Sequence, residues 1–402
     1  MFVVLNLIAA ASYLIVGWQS GYLAHPDANV FSSHDSHEYR QVADWIYGAR
    51  ATAEASAWRP FLYPLLMGLA ERAGGAAGVW LLNLALWFAA LNIAAAAAYR
   101  LVKSAWAEIV VFLAMATNVS LILLTFHALT EITSVALIAI WIYGLAHLTR
   151  RPNASQVVWA LLPLSLLVVV KPQFELLLGV MFVVLLIAVW RTQMRGAAGA
   201  ALAGCLIPVA IQVGAMATFN HFIGISTIGD TTLRGYYLAR LFMTIANTTD
   251  FNAARQHVVD LSNVDAARLV LAHIGDAIAV FVTTLVDNLL AGSNFILPAA
   301  TSHLNGAIVW SNRTYVILLI CLIPLAGAAL WRARDGRLAL LCLAILNVFV
   351  TGGLSFYQGD RLTVIALPLG ATALVLSLRE AVTPKRTPGN AALRPRRPLS
   401  TR

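Results

Sequence analysis

The sequence predicts an all-α fold, a polytopic bundle of about ten transmembrane helices with amphipathic helices on the extracytoplasmic surface. The composition supports this, because 60% of the residues are hydrophobic, only 11% are charged and the mean hydropathy is +0.78. A soluble domain contains roughly 25% charged residues. The apolar residues also form continuous runs, many of them close to the ~20 residues that cross a bilayer. Continuous runs favour helices over a barrel, whose strands alternate in polarity.

Ten apolar runs give the predicted spans, and the basic residues between them give the orientation. The runs lie at 2–19, 77–99, 105–123, 130–148, 155–170, 174–190, 197–218, 313–331, 337–353 and 362–379. The first lacks a basic segment before it and a cleavage site after it, so we interpret it as a retained helix. Basic residues follow even-numbered spans, at 100–103, 150–151, 191–195, 332–337 and beyond Leu378. Because cytoplasmic loops are enriched in lysine and arginine, these clusters and the N-terminus are predicted to be cytoplasmic.

Residues 1–382 are predicted to form a single transmembrane domain with two long extracytoplasmic segments, 20–76 and 219–312. The first segment contains two amphipathic stretches, Ser36–Ala49 and Trp58–Arg72, which favour helices on the membrane surface. Residues 266–290 are apolar enough to span the bilayer, but one more span would put the basic cluster at 332–337 outside. We therefore interpret 266–290 as a re-entrant or surface helix, with a spanning helix as the alternative.

The net charge of +9 is concentrated at the C-terminal end of the chain. Beyond Leu378 there are seven basic residues and one acidic residue. Residues 383–402 are rich in proline and arginine, which predicts a disordered cytoplasmic tail. A basic tail beside a final membrane helix is typical of contact with anionic lipid. The lipid bilayer is therefore a predicted partner and nucleic acid is not.

The segment 33–66 carries the first catalytic candidates, because a polar, acidic stretch beside an apolar helix is costly to keep there without a function. Asp35 is the predicted general base, since apolar surroundings disfavour its charged form and make it a better proton acceptor. Capping of a helix that begins near residue 36 is the alternative. Glu38 and Tyr39 lie one turn further on and are predicted to orient the same ligand, with a solvated helix face as the alternative.

Two further substrate-binding candidates lie in WRPFLYPLL. Arg59 is predicted to contact a phosphate or a carboxylate, to which a guanidinium donates two parallel hydrogen bonds. Tyr63 is predicted to line the same site. The alternative for this stretch is an aromatic, proline-restricted start of a surface helix.

Later segments bring more polar side chains to the same face of the membrane. His127 and Glu131 precede or begin the fourth span, where favourable interaction with the helix dipole is the alternative role for Glu131. Lys171 lies between two apolar runs and needs an anion, either Glu175 or a lipid phosphate. The remaining substrate-binding candidates are Gln173, Gln358 and Arg361, the last with Asp360 as a possible internal partner. Lys171 and Arg361 together would suit a phosphate leaving group.

Other chemistries have little support in the sequence. It contains no P-loop, no HExxH, no GxSxG and no glycine-rich dinucleotide turn. His34 and His37 could bind a metal with Asp35 or Glu38, but four ligands are not evident, so no cofactor and no metal residue is predicted and a divalent metal stays open. The three cysteines lie in apolar runs and are interpreted as small core residues.

The order of these motifs resembles the GT-C superfamily of membrane glycosyltransferases that use polyprenyl-phosphate-linked sugars. That superfamily includes bacterial relatives of protein mannosyltransferases and the lipid A aminoarabinose transferases. The resemblance starts with one apolar helix and continues through DSHEYRQVADWI, RPFLYPLL, HALTE, VVVKPQ and YQGDRLTVIALP. It implies that Asp35 is the base and that Glu131, Lys171 and Arg361 occupy positions of the substrate site. The chain departs from the pattern in one respect, because many members have a second acidic residue beside the first and Asp35 is flanked by His34 and Ser36.

The resemblance implies transfer of a sugar from a polyprenyl-phosphate donor to an envelope glycan, lipid or protein acceptor. The expected location is the extracytoplasmic face of the bacterial cytoplasmic (inner) membrane. A polysaccharide polymerase or ligase is one alternative, kept open by the long segment 219–312. A polytopic transporter is the other, and it would need charges at mid-membrane and repeated halves, which the sequence does not show.

Overall fold

The computed structural model describes residues 1–51, 53–191, 195–290, 302–333, 335–355 and 358–382. These residues form helices and connecting turns, and none of them forms a strand. In the first half of the chain the helices are α1 (Phe2–Gln19), α2 (His34–Ile46), α3 (Leu62–Val102), α4 (Ala105–Ala116), α5 (Val119–Leu124), α6 (Thr130–His147), α7 (Ala154–Val170) and α8 (Glu175–Trp190). Short 3-10 turns precede α3 and α8, at Glu54–Ala57 and Pro172–Phe174.

The second half of the chain contains more short helices. They are α9 (Arg195–Gly204), α10 (Ile207–Asn220), α11 (Ile228–Thr232), α12 (Ala239–Ala246), α13 (Phe251–Val259), α14 (Asn263–Ala272), α15 (Ile274–Leu290), α16 (Ser302–Ala333), α17 (Gly336–Leu354), α18 (Arg361–Val364) and α19 (Leu367–Val382). A π-helical turn, Leu233–Leu238, joins α11 to α12.

The prediction of a polytopic helical membrane protein is confirmed. Seven helical segments of the described ranges are long and apolar enough to cross a bilayer: Phe2–Gln19, Leu62–Val102, Thr130–His147, Pro172–Trp190, Arg195–Asn220, Leu304–Arg332 and Gly336–Leu354. Two further apolar helices, α4 and α7, are shorter. The predicted tail 383–402 lies outside the described residues.

Three predicted spans are broken in the structure, and one of them, at 197–218, divides into α9 and α10. The run at 105–123 divides into α4 and α5, because Asn118 caps α5 by accepting a hydrogen bond from the backbone N–H of Leu121 at 2.8 Å. The last predicted span is likewise divided into α18 and α19. Residues 266–290 also do not form one straight helix, since α14 and α15 meet at 93°. That bend fits a re-entrant loop or a broken span.

The surface helices predicted in the first long segment are present with shifted ends. α2 begins at His34 because Ser33 is its N-cap, with a side-chain oxygen that accepts from the N–H of Ser36 at 3.1 Å. The second helix begins at Leu62 and runs on into the following span. Gly74 and Gly75 break this 41-residue helix into a first part and a membrane-spanning part.

The core is centred on α3, α6 and α7, which hold fully buried aromatic side chains such as Trp87 and Trp141. α6 and α7 cross very closely at Gly144, where a Cβ atom would lie 2.0 Å from the carbonyl oxygen of Trp159. This crossing lies near the connection between α6 and α7, and because the two helices run antiparallel, the start of α6 lies beside the end of α7. Those two ends carry Glu131 and Lys171.

We expect Gly75→Ala to destabilise the protein, because Gly75 has φ 62° and ψ −152°, a region that is essentially restricted to glycine. The expected cost is about 1–3 kcal/mol, seen as a lower thermal unfolding temperature in detergent. No atom lies within 4 Å of a Cβ built at Gly75, so the cost is conformational rather than steric. Gly179→Ala in α8 is the matched control, since its Cβ also meets nothing and a helical alanine is favourable. Equal stability of the two variants would contradict this account of the break.

Candidate active site

A cavity of about 580 Å³ lies where α2, the start of α6, the α7–α8 turn, the 226–236 segment and the end of α17 meet. Eight of the eleven residues predicted for the site line it: Asp35, Tyr39, Arg59, Glu131, Lys171, Gln173, Gln358 and Arg361. They come from segments that are far apart in sequence. The cavity is therefore a product of the tertiary fold and the main candidate site.

Asp35 bridges two arginines at one side of this cavity. Its Oδ1 lies 2.5 Å from Nη2 of Arg59, and its Oδ2 lies 2.7 Å from Nη2 of Arg361. The three side chains are 18%, 14% and 11% exposed, so water screens these charges poorly. Ser33 is the N-cap of α2, which leaves the Asp35 side chain free of the capping role considered as an alternative.

The prediction that apolar surroundings raise the pKa of Asp35 is wrong. Burial by itself would raise this pKa, but the positive charges of Arg361 and Arg59 and the hydrogen bonds they donate lower it to about 2. Asp35 is therefore ionised at neutral pH and has a low affinity for protons in this structure. The sequence did not reveal that both arginines would contact the same carboxylate.

Arg59 is held in place by several partners besides Asp35. It donates from Nε to Oε2 of Glu38 at 2.7 Å and from Nη1 to the Tyr39 hydroxyl at 3.2 Å. Its guanidinium also lies over the Tyr39 ring, 4.8 Å from the centroid. Glu38 accepts a further hydrogen bond from Nε1 of Trp58 at 3.1 Å. Glu38 therefore fixes Arg59 from behind rather than lining the cavity itself.

Glu131 and Lys171 form a second buried ion pair in the lining. Nζ of Lys171 lies 2.9 Å from Oε1 of Glu131, and the side chains are 12% and 3% exposed. Glu131 is thus the partner of Lys171, rather than Glu175 or a lipid phosphate as considered from the sequence. The other oxygen of Glu131, Oε2, has no hydrogen-bond partner among the described residues, and neither does Nε2 of Gln173.

Arg361 is the first residue of α18 and Gln358 lies in the turn before it, and the two side chains hydrogen-bond to each other. Asp360 anchors this turn, because its Oδ2 accepts from Nδ2 of Asn312 at 2.9 Å and from the hydroxyl of Ser120. Asp360 is 1% exposed, and its two partners come from α16 and α5. The position of Arg361 therefore depends on contacts among three distant segments.

Tyr63 and His127, also predicted for the site, do not line this cavity. Tyr63 is fully buried and packs edge-on against Tyr39, with ring centroids 4.9 Å apart. The ring of His127 packs against Tyr22, and its Nδ1 lies 3.4 Å from the hydroxyl of Ser32. His127 therefore packs against residues of the first long segment, 20–76, outside the cavity.

The segment 226–236 supplies Ser226, Thr232 and Tyr236 to the lining, and none of these three side chains was predicted from the sequence. It is joined to the first long segment by hydrogen bonds from the hydroxyl of Ser226 to the carbonyl of Trp58 at 2.9 Å and from the N–H of Thr227 to the carbonyl of Ala57 at 2.9 Å. Tyr236 lies in the π-helical turn, a geometry often found at functional sites. Its two charged residues, Asp230 and Arg234, pair with each other at 2.6 Å, and neither of them lines the cavity.

The cavity also reaches the apolar surface of the bundle at Leu176. This residue lines the cavity and is 64% exposed, and it lies on α8. Other residues of α8, such as Val183 and Ile187, are apolar and about half exposed. A ligand with an apolar chain can therefore reach the polar lining from the side of α8.

No group of three or more histidine, cysteine, aspartate or glutamate side chains with metal-site spacing occurs within the described ranges. The carboxylates of Asp35, Glu38 and Glu131 are each engaged by an arginine or a lysine instead.

We expect the Glu131–Lys171 pair to be strongly coupled in stability. Lys171→Met leaves the buried Glu131 carboxylate without its cation, which costs about 3–5 kcal/mol for buried pairs. Adding Glu131→Gln should restore part of the loss, so that the double variant unfolds at a higher temperature than Lys171→Met alone. Thermal unfolding of both single variants and the double variant in the same detergent measures the coupling. Additive losses would show that the two side chains do not act as a pair.

Comparisons with known proteins found one similar fold. No protein-family model matches the chain, and no curated protein matches it. Among solved structures, the crystal structure of ArnT from Cupriavidus metallidurans bound to undecaprenyl phosphate is similar to 94% of this chain and 77% of that chain, with 11% identity and a TM-score of 0.42. The identity and the TM-score are too low to assign a role to any residue of this chain.

Proposed function

We propose that the protein is a membrane glycosyltransferase that moves a sugar from a polyprenyl-phosphate donor to a hydroxyl of an envelope glycan, lipid or protein acceptor. The observation that carries this proposal is one cavity whose lining contains both the Asp35 carboxylate and the cations Arg59, Lys171 and Arg361. A carboxylate can accept the acceptor's proton, and the cations can stabilise a phosphate leaving group. No partner other than donor, acceptor and lipid bilayer is needed for this reaction.

The proposed step is a single displacement at the anomeric carbon of the sugar. Asp35 accepts the proton of the acceptor hydroxyl while the oxygen attacks the anomeric carbon. The bond from that carbon to the phosphate oxygen breaks, and its electron pair stays on the oxygen of the polyprenyl phosphate. Attack on the face opposite the leaving group inverts the anomeric configuration. Arg361 and Lys171, with Arg59, stabilise the charge that develops on the phosphate.

A lipid-linked donor agrees with the surroundings of the cavity. Leu176 gives the cavity an edge on the exposed apolar surface of α8. An apolar chain can stay in the bilayer beside α8 while its phosphate reaches the arginines. The sequence contains no nucleotide-binding motif, and a donor delivered through the membrane needs none.

Glu131 and Gln173 are the residues best suited to contact the sugar or the acceptor. Oε2 of Glu131 is an acceptor and Nε2 of Gln173 is a donor, and neither has a partner among the described residues. Buried polar atoms are normally hydrogen-bonded. A sugar hydroxyl both donates and accepts, so it satisfies either atom. His127, predicted from the sequence for this role, does not line the cavity and is not assigned it.

The extracytoplasmic face of the inner membrane is the location that the charge distribution favours. Glu131 lies in the first turn of α6 at the cavity, whereas His147 ends α6 about 24 Å away by the rise per helical residue. Near that other end Arg100 lies over the ring of Tyr143, and Arg379 donates to the carbonyl of Leu101 at 2.7 Å. Arginine-rich ends of membrane helices are typically cytoplasmic. The cavity at the opposite end then faces outward.

We expect Asp35→Asn to lose transfer activity by about 10²–10⁴-fold, the usual contribution of a general base. Membranes containing the wild type or the variant would be incubated with radiolabelled polyprenyl-phosphate sugars and envelope acceptors, and label leaving the lipid would be followed. Asp44→Asn is the matched control, because Asp44 lies on the same helix but does not line the cavity. Full transfer by folded Asp35→Asn would assign the base elsewhere. No transfer by folded wild type with any donor would reject the proposed activity.

We expect the acid side of the kcat/KM profile for the lipid donor to be independent of Asp35 above about pH 4, because kcat/KM for the donor reports groups of the enzyme before the donor is bound. Asp35 has a pKa of about 2 there and loses its charge only as the pH falls toward that value. The profile of the wild type would be compared with that of Asp35→Glu. An acid limb between roughly pH 5 and 7 that moves in Asp35→Glu would contradict the low pKa.

A further inference from the structure

We propose that the phosphate of the lipid donor binds between Arg59 and Arg361, at the position that the Asp35 carboxylate occupies in this structure. Asp35 is then an internal substitute for the phosphate, and it becomes the base only after the phosphate has displaced it. This inference rests on the proposed function and adds to it the place of the phosphate and the event that prepares the base.

The geometry around Asp35 is that of an occupied oxyanion site. Each of its oxygens pairs with a different guanidinium, at 2.5 Å for Arg59 and 2.7 Å for Arg361. The two non-bridging oxygens of a phosphodiester can accept hydrogen bonds from a pair of arginines in the same way, one oxygen to each guanidinium. The phosphodiester of a polyprenyl-phosphate sugar carries one negative charge. When it replaces the single charge of the Asp35 carboxylate, the arginine pair stays compensated to the same extent.

The need for a substitute follows from the burial of the two arginines. Their side chains are only 14% and 11% exposed, and an uncompensated buried charge costs several kcal/mol. Glu38 compensates Arg59 from behind, at 2.7 Å, but it lies off the cavity lining. Asp35 supplies the negative charge on the cavity side of the pair.

Asp35 can also move away from Arg59 and Arg361 without breaking the other contacts that hold these two arginines in place. Arg59 keeps its contacts with Glu38 and Tyr39 when Asp35 leaves. Arg361 keeps Gln358, and its turn stays tied to α16 through Asp360. The N-cap of α2 is Ser33, so a change of rotamer at Asp35 does not uncap the helix.

Displacement also resolves the conflict between the low pKa of Asp35 and its proposed role. While both arginines hold the carboxylate, its pKa is about 2 and it is a weak base. Once the phosphate neutralises the arginines, the remaining effect on Asp35 is burial, which raises the pKa of a carboxylate. The base is thus strengthened only when a donor is bound.

The test is the affinity for undecaprenyl phosphate of full-length protein in nanodiscs of zwitterionic lipid. A competing carboxylate weakens binding, so Asp35→Asn should bind undecaprenyl phosphate roughly tenfold more tightly than the wild type while losing transfer. Asp35→Glu keeps the charge and should stay within about threefold of the wild type. Asp44→Asn removes a charge from the same helix away from the cavity and should leave affinity unchanged. Asp35→Ser, neutral and smaller, replaces Asp35→Asn if the latter does not fold.

Inorganic phosphate has no prenyl chain, so its binding tests the anion site alone. It should compete with undecaprenyl phosphate, and its inhibition constant should fall in Asp35→Asn as the lipid's dissociation constant does. Competition that is the same in wild type and Asp35→Asn would overturn the inference.

The failures of the two proposals are distinguishable. If Asp35→Asn binds undecaprenyl phosphate as weakly as the wild type or more weakly, the displacement is rejected, whereas loss of transfer in the same variant still supports the glycosyltransferase. If folded wild-type protein neither binds undecaprenyl phosphate nor transfers label, both proposals fail together.

Discussion

Burying an unpaired charge in an apolar helical bundle costs several kcal/mol. At the end of the protein that holds the cavity, each buried cation must therefore lie beside a carboxylate. Arg59, Arg361 and Lys171 each meet a carboxylate at 2.9 Å or less. One pair joins α2 to the start of α18, and another joins the start of α6 to the α7–α8 turn. The ion pairs that assemble the proposed site therefore also fix the packing of this end, so stability and chemistry share the same side chains.

The rest of the fold brings those segments within reach of one another. The Gly74–Gly75 break separates the surface part of α3 from its spanning part, and the close crossing at Gly144 sets α6 against α7. Asp360 ties the Arg361 turn to two other helices, and Ser226 ties the 226–236 segment to Trp58. These contacts are made by neutral residues or, in the case of Asp360, by a charged residue that does not line the cavity. They account for why a site built from six segments has a defined geometry.

The sequence predicted the fold class and many of the polar side chains, because both depend on local patterns. Lys171 could be singled out since an ammonium between two apolar runs must find an anion. Its partner Glu131 could not be paired with it, because 40 positions separate them and only the α6–α7 packing brings them together. The pKa of Asp35 was predicted with the wrong sign for the same reason, since it depends on Arg361 at the far end of the chain. The 226–236 segment lines the cavity with neutral side chains, and its two charged residues pair with each other away from the lining, so its charge pattern does not point to the site.

The edge of the cavity at Leu176 has a consequence for the range of lipids that such a protein would accept. The polar lining surrounds only the head of a ligand that enters beside α8, and the exposed apolar residues of that helix face the bilayer. Isoprene units beyond the first few would then be solvated by lipid rather than by protein. The cavity would then bind donors with short and long prenyl chains with the same affinity. Any selection among chain lengths would come from how well each donor dissolves in the membrane.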